Sequence, residues 1–262
     1  ALTVAACTGA LALNNGYGKA SVEVACLTSI AAVGVAQAAR TGRGLGTVGL
    51  AVGAALLLHR SALLLLPAWA ACAGLVLRTG SRARASTLVG LCVPPLALAV
   101  VGPRLLHVVG SFDVHKHLPS GGLGGTPAFV FAPAHLLDVF HTLCLLVPLA
   151  PLVPLLLWLP PRAPRREAVA FGALALPPLA LLLVVNPQHG LARDWDVFAF
   201  AGSALAVVAA WRMTHVLSGM PRARWLALPL ACVAAVPALQ WAALQSDSNR
   251  MWARAEAVML GP

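Results

Sequence analysis

Asp194 and Asp196 stand two residues apart in the segment 186–196, beside Arg193, His189 and Trp195. Paired carboxylates next to a guanidinium and an imidazole can bind a cation, hold a sugar hydroxyl or pass a proton. Asp196 is equally able to cap a helix starting near Val197, where the helix dipole favours a negative charge. That plainer role leaves Arg193, Asp194 and Trp195 unexplained. A second set is His135, Asp138 and His141. Their spacing of three residues puts them on one helical face, within an arc of about 120°. The alternative is an acid at a helix start between two interfacial histidines. A third set, Asp113, His115 and His117, alternates as D-x-H-x-H. On an extended strand it would present three ligands to one side, a candidate zinc or manganese site, or else a solvated loop. The fourth set is Tyr17 and Lys19, with His59 and Arg60. Cations at these positions suit an anionic ligand such as a lipid phosphate, or snorkel to headgroups.

These residues must be held by very apolar elements. Hydrophobic residues make up 60% of the chain and charged residues only 10%. A soluble domain carries about 25% charged residues, and a core cannot hide this much apolar surface in water. Apolar segments fall at 1–13, 20–39, 45–58, 61–77, 86–101, 138–160, 168–185, 197–211 and 225–245. The sequence therefore predicts an all-α fold: a polytopic transmembrane helix bundle of eight to nine membrane segments over 1–245. An outer loop region spans 102–137 and an outer tail 246–262. The short segments around His59 and Arg60 form one bent span or two. Pro94, Pro95, Pro148, Pro151, Pro154, Pro177 and Pro178 predict kinked helices, which a bundle tolerates where neighbours satisfy the freed carbonyls.

Charge sets the expected orientation. The short loops 40–44, 78–85, 161–167 and 212–224 hold Arg40, Arg43, Arg78, Arg82, Arg84, Arg162, Arg165, Arg166, Arg212, Arg222 and Arg224. By the positive-inside rule that side is cytoplasmic. Glu167 is the one acid there. Asp113, Asp138, Asp194, Asp196 and all histidines except His215 fall on the other side, which makes the outer face the expected seat of chemistry. The net charge of +10 does not imply nucleic acid, since the cations lie in small clusters between apolar runs. Cys7, Cys26, Cys72, Cys92, Cys144 and Cys232 sit inside apolar runs without a CxxC pair and read as packing residues. Segment 1–13 lacks the basic start and cleavage site of a signal peptide. The chain reads as the C-terminal part of a longer protein.

Four stretches carry a family resemblance: NNGYGKASVE from 14, HRSALLLLPA from 59, FAPAHLLDVFHTLCLLVPLAP from 131 and NPQHGLARDWDVFAF from 186. In this order they resemble the later part of bacterial polytopic glycosyltransferases of the GT-C type, which use polyprenyl-phosphate-linked sugars. Two positions depart from the pattern: Lys19 where such relatives have Glu, and His141 where they have Asn. Their usual catalytic carboxylate, in the first outer loop, has no counterpart in this chain. The resemblance implies a multi-pass protein of the bacterial cytoplasmic membrane. Its partners would be membrane lipids and a polyprenyl-phosphate-linked sugar, with transfer to a lipid, glycan or protein acceptor on the extracytoplasmic face. Asp194, Asp196, Asp138 and His135 are the candidate catalytic groups. Arg193, Lys19, His59, Arg60, His141 and Tyr17 are the candidate donor-binding groups. A divalent metal ion is a candidate cofactor. A transporter, a lipid flippase and a non-catalytic membrane subunit are the alternatives.

Overall fold

A computed structural model describes residues 20–79, 85–113, 125–185, 191, 198–247, 249, 252–253 and 256. Among them the chain is all-helical, with no strands. The helices are α1 (Ala20–Thr41), α2 (Leu45–Leu58), α3 (Leu66–Arg78), α4 (Ala85–Val108), α5 (Gly125–Val130), α6 (Pro133–Leu146), α7 (Val153–Trp158), α8 (Arg165–Val184), α9 (Ala199–Gly219) and α10 (Ala227–Ser246). Short 3-10 turns precede α3 (Arg60–Leu65), α7 (Ala150–Leu152) and α10 (Pro221–Leu226), and a π turn (Val109–Asp113) extends α4.

Five of the helical stretches are long and apolar enough to cross a membrane, or six if the bent α6–α7 pair is one span. This is fewer than the eight to nine segments expected from sequence. Segment 1–13 lies outside the described residues. Segment 45–58 is only 14 residues long, about 21 Å at 1.5 Å per residue, against a hydrocarbon core of about 30 Å. The stretch 138–160 is not one straight span. It breaks between Leu146 and Ala150, and its two halves meet at 109°. Pro148 is the physical cause, because a proline disfavours helical backbone in the residue before it. Val147 is accordingly extended, at φ −141° and ψ 96°.

The ends of the bundle are more helical than apolarity alone implies. The expected outer loop 102–137 is helix at both its edges, as α4 runs through Pro103 and α5 and α6 open at Gly125 and Pro133. The expected loop 212–224 is helix as far as Gly219. Backbone leaving water must keep its hydrogen bonds, so helices persist past the last apolar residue until a proline or solvent ends them.

Helix α9 is the central element. Its buried residues include Ala199, Phe200, Ala204, Ala209 and Met213, and they face in every direction around the helix. It separates two apolar clusters. One joins α1, α2, α3 and α8, with Phe171 and Trp211 at their meeting point. The other joins α6, α7 and α9 around Leu146, Val153 and Phe198. By contrast α4 is peripheral and leaves Leu88, Leu96, Val100 and Leu106 exposed.

Contact between α2 and α4 depends on absent side chains. A Cβ on Gly49 would collide with the Gly90 backbone, and one on Gly90 with the backbone of Leu45. The turn into α2 needs glycine for a different reason. Gly44 has φ +102°, where L-residues are strained. A second device fixes α4 at its internal prolines. Pro94 has no N–H for the carbonyl four residues back, so the Gly90 oxygen lacks its helical donor. Trp69 on α3 supplies the replacement, with Nε1 at 2.7 Å from that oxygen.

Candidate functional site

Loop closures bring the arginine-bearing segments to one end of the bundle. Gly42 lies against Thr79, Gly46 against Ser86, and Gly219 against Pro161. This is the grouping expected from the charge pattern. At the opposite, histidine-bearing end, His135 is buried with 7% exposure. Its Nε2 lies 2.8 Å from the Leu183 oxygen. Leu183 belongs to the last turn of α8, whose carbonyls have no intrahelical donor. A carbonyl only accepts, so Nε2 carries the proton and Nδ1 is the ring's acceptor. The ring packs on Phe129 with centroids 4.0 Å apart. His135 thus caps α8 and ties α6 to it.

The other two members of that set face elsewhere. The inward face of α6 is His135, Val139, Thr142 and Leu146, at a spacing of four, three and four residues. Asp138 and His141 are exposed, because successive steps of three residues rotate away from that face by about 60° each. The three groups therefore form a band from core to surface, not one inward cluster.

His59 and Arg60 sit at the junction of α2 with the helical turn before α3. His59 is extended, with φ −156° and ψ 143°. Its Nδ1 accepts from the Ser61 amide at 3.2 Å and lies 2.9 Å from the Ser61 hydroxyl. An imidazole here does what Ser or Asp does at an ordinary N-cap. Arg60 is half-buried as the first residue of the following turn. The apolar pair read as one bent span or two is thus two helices, broken at the capped His59.

Tyr17, Lys19, His115, His117, Arg193, Asp194 and Asp196 lie outside the described residues, as does the side chain of Asp113. Among the described residues no three His, Cys, Asp or Glu side chains group as a metal site.

The most developed polar site is one that sequence reasoning passed over. Glu167, in the first turn of α8, has a side chain 8% exposed. Arg40 in the last turn of α1 meets it with a forked pair, Nε to Oε1 and Nη2 to Oε2, each 3.3 Å. Two α9 side chains one turn apart complete the set. Trp211 Nε1 donates to Oε2 at 2.5 Å, and His215 Nε2 lies 3.0 Å from the same atom. Both charges suit their helix ends, the acid at an N-terminus and the base at a C-terminus. With both carboxylate oxygens on α8 engaged by side chains of α1 and α9, the arrangement is a clasp across three helices.

One helical position further along, Arg212 is 2% exposed. It donates to Leu156 O at 2.8 and 3.0 Å, to Leu159 O at 2.7 Å and to Pro161 O at 3.1 Å. These are the orphan carbonyls at the end of α7 and in the turn beyond it. A buried guanidinium that makes four hydrogen bonds to carbonyls at and beyond a helix C-terminus needs no carboxylate partner. The signals for both sites were present in the sequence. Glu167 was the lone acid among the arginines, and Trp211 and His215 have the i, i+4 spacing of one helix face.

Apolar helices of membrane-crossing length, ionisable groups gathered at the two ends and buried charges satisfied by neighbouring helices define the class as a multi-helix membrane-type bundle. Comparison of the chain with protein-family profiles, with curated proteins and with solved structures finds no match in any of the three.

Proposed function

We propose that this protein is a glycosyltransferase-like membrane enzyme with eight to nine membrane segments. It transfers a sugar from a polyprenyl-phosphate donor to a lipid, glycan or protein acceptor on the extracytoplasmic face of a bacterial cytoplasmic membrane. One observation carries the reading: Leu191, from the loop with two of the candidate carboxylates, is buried in the same apolar cluster as Val139 of α6. Arg193 and Asp194 follow Leu191 by two and three residues in the chain. The His135–Leu183 bond ties the start of α6 to the end of α8, from which that loop departs. In this reading a carboxylate, Asp194 before Asp138 or Asp196, takes the proton of the acceptor hydroxyl. Arg193, with Lys19 or Arg60, neutralises the departing phosphate. His135, whose Nε2–H is committed to Leu183, is a positioning residue.

The test is sugar transfer from a polyprenyl-phosphate donor by the protein in detergent. Asp194→Asn keeps size and removes charge, so turnover is expected to fall by about 10²–10⁴, the usual range for a positioned base. Arg193→Gln is expected mainly to raise the donor KM. Wild-type transfer by both variants at equal expression would reject these roles. A second reading, a lipid flippase or transporter, is favoured by the 109° break of α6–α7, since broken helices line transport sites. It predicts movement of a fluorescent lipid across vesicles with no glycosyl transfer.

A further inference from the structure

At the arginine end, two segments of chain are brought together by contacts already described. Leu159 and Pro161 are held on α9 by the Arg212 guanidinium. Pro161 also packs on Gly219, which leaves no room for a Cβ there. The segment that continues from Pro161 carries Arg162, Arg165 and Arg166. The turn that continues from Gly219 carries Arg222 and Arg224. All five arginines are exposed. None has a hydrogen-bond or ion-pair partner among the described residues. Among the described residues the acid next to them in the chain, Glu167, is committed to Arg40, Trp211 and His215.

Helix electrostatics do not account for these charges. Arg165 and Arg166 occupy the first turn of α8, where the dipole disfavours cations. The apolar surroundings complete the pattern. Trp158 is 81% exposed and Trp225 71% exposed, and each lies within a few residues of the arginines, Trp158 at the end of the bent α6–α7 pair and Trp225 in the turn between α9 and α10. Indole rings in such places settle at the headgroup level of a bilayer. Unpaired guanidiniums at that level meet phosphodiester oxygens, which they bind through paired N–H donors.

We propose that the face formed by 158–166 and 219–225 is a docking surface for anionic phospholipid, with headgroup phosphates seated among Arg162, Arg165, Arg166, Arg222 and Arg224. It lies at the opposite end of the bundle from His135 and Leu183 and does not depend on the proposed transfer reaction. An acidic protein partner is the competing occupant. The lipid is favoured because the flanking tryptophans and exposed Leu155 and Leu157 fit the boundary of a bilayer.

The experiment uses the protein in detergent with equal phosphatidylglycerol and phosphatidylcholine, and counts retained lipids by native mass spectrometry. Phosphatidylglycerol is expected to be retained over phosphatidylcholine by on the order of tenfold, and 0.5 M salt to erode the preference. Replacing all five arginines by glutamine should bring the ratio close to one. The double variant Arg222→Gln/Arg224→Gln, confined to an exposed turn, should reduce it several-fold without a folding risk. Arg104→Gln removes one charge near the other end and should leave the ratio unchanged, whereas Arg224→Gln should lower it. Equal retention of the two lipids by the wild type would overturn the proposal. So would an undiminished ratio in the double variant, or equal losses from Arg104→Gln and Arg224→Gln, which would reduce the effect to net charge.

Discussion

At the residue scale, burial decides what each ionisable group is worth. Glu167 is nearly enclosed, whereas the Arg40 side chain is 49% exposed. Removing the enclosed partner strands three donors, and removing the exposed one leaves a carboxylate that Trp211 and His215 still serve. Glu167→Ala is therefore expected to cost about 3 kcal/mol, in the range for hydrogen bonds to a buried charge. Trp211→Phe should cost about 1–2 kcal/mol, through the lost N–H donor. Arg40→Ala should cost less than about 1 kcal/mol, as exposed ion pairs do. Reversible unfolding in mixed micelles would rank the three, and an Arg40→Ala loss as large as that of Glu167→Ala would refute the ordering. His135 shows the limit of reading single residues. Its type and spacing made it a candidate catalyst. Its use as the cap of α8 depends on a carbonyl 48 positions away, which no local pattern announces.

At the element scale, a proline marks where a helix loses a donor, but its surroundings decide whether the helix ends there. Pro94 and Pro95 lie inside α4, and Pro177 and Pro178 inside α8, without ending either helix. Pro148 ends α6. At Pro94 the Gly90 carbonyl of α4 stays bonded because Trp69 replaces the missing donor. This predicts energetic coupling between the two residues. Trp69→Phe alone should cost about 1 kcal/mol, the value of a hydrogen bond to an otherwise unpaired carbonyl. In a Pro94→Ala background, where the chain regains its own N–H donor, the same change should cost less than half as much beyond lost packing. Additive losses in a double-mutant cycle would mean that Trp69 acts by packing alone. Helix existence and helix centres were legible from apolar runs. Their ends were not, because Arg165, Arg166 and Glu167 read as a loop by polarity yet form the first turn of α8.

At the scale of the whole molecule, the charge pattern and the packing describe the same two-ended body. The contacts of Gly42 with Thr79 and of Gly219 with Pro161, joined by the Arg40–Glu167 pair, place the described arginine segments at one end. Single cysteines at Ser218 and Ser111, both exposed, introduced into a background lacking the native cysteines, should therefore label from opposite sides of the membrane. The positive-inside rule assigns Ser218 to the cytoplasm. Labelling of both by an impermeant reagent in intact cells would break the two-ended arrangement.

The sequence by itself determined the helical class, the membrane-type character and the grouping of cations. Each follows from composition and from the requirement that backbone in an apolar medium bond to itself. Tertiary structure alone decided the rest. It set α9 at the centre, turned Asp138 and His141 outward while His135 went in, and closed the Glu167 clasp across three helices. Those outcomes depend on which small residues let backbones approach and on which orphan carbonyl or carboxylate a distant donor reaches. Such pairings join positions tens to more than a hundred residues apart, as Arg40 and Glu167 are, and no periodicity within a single helix encodes them.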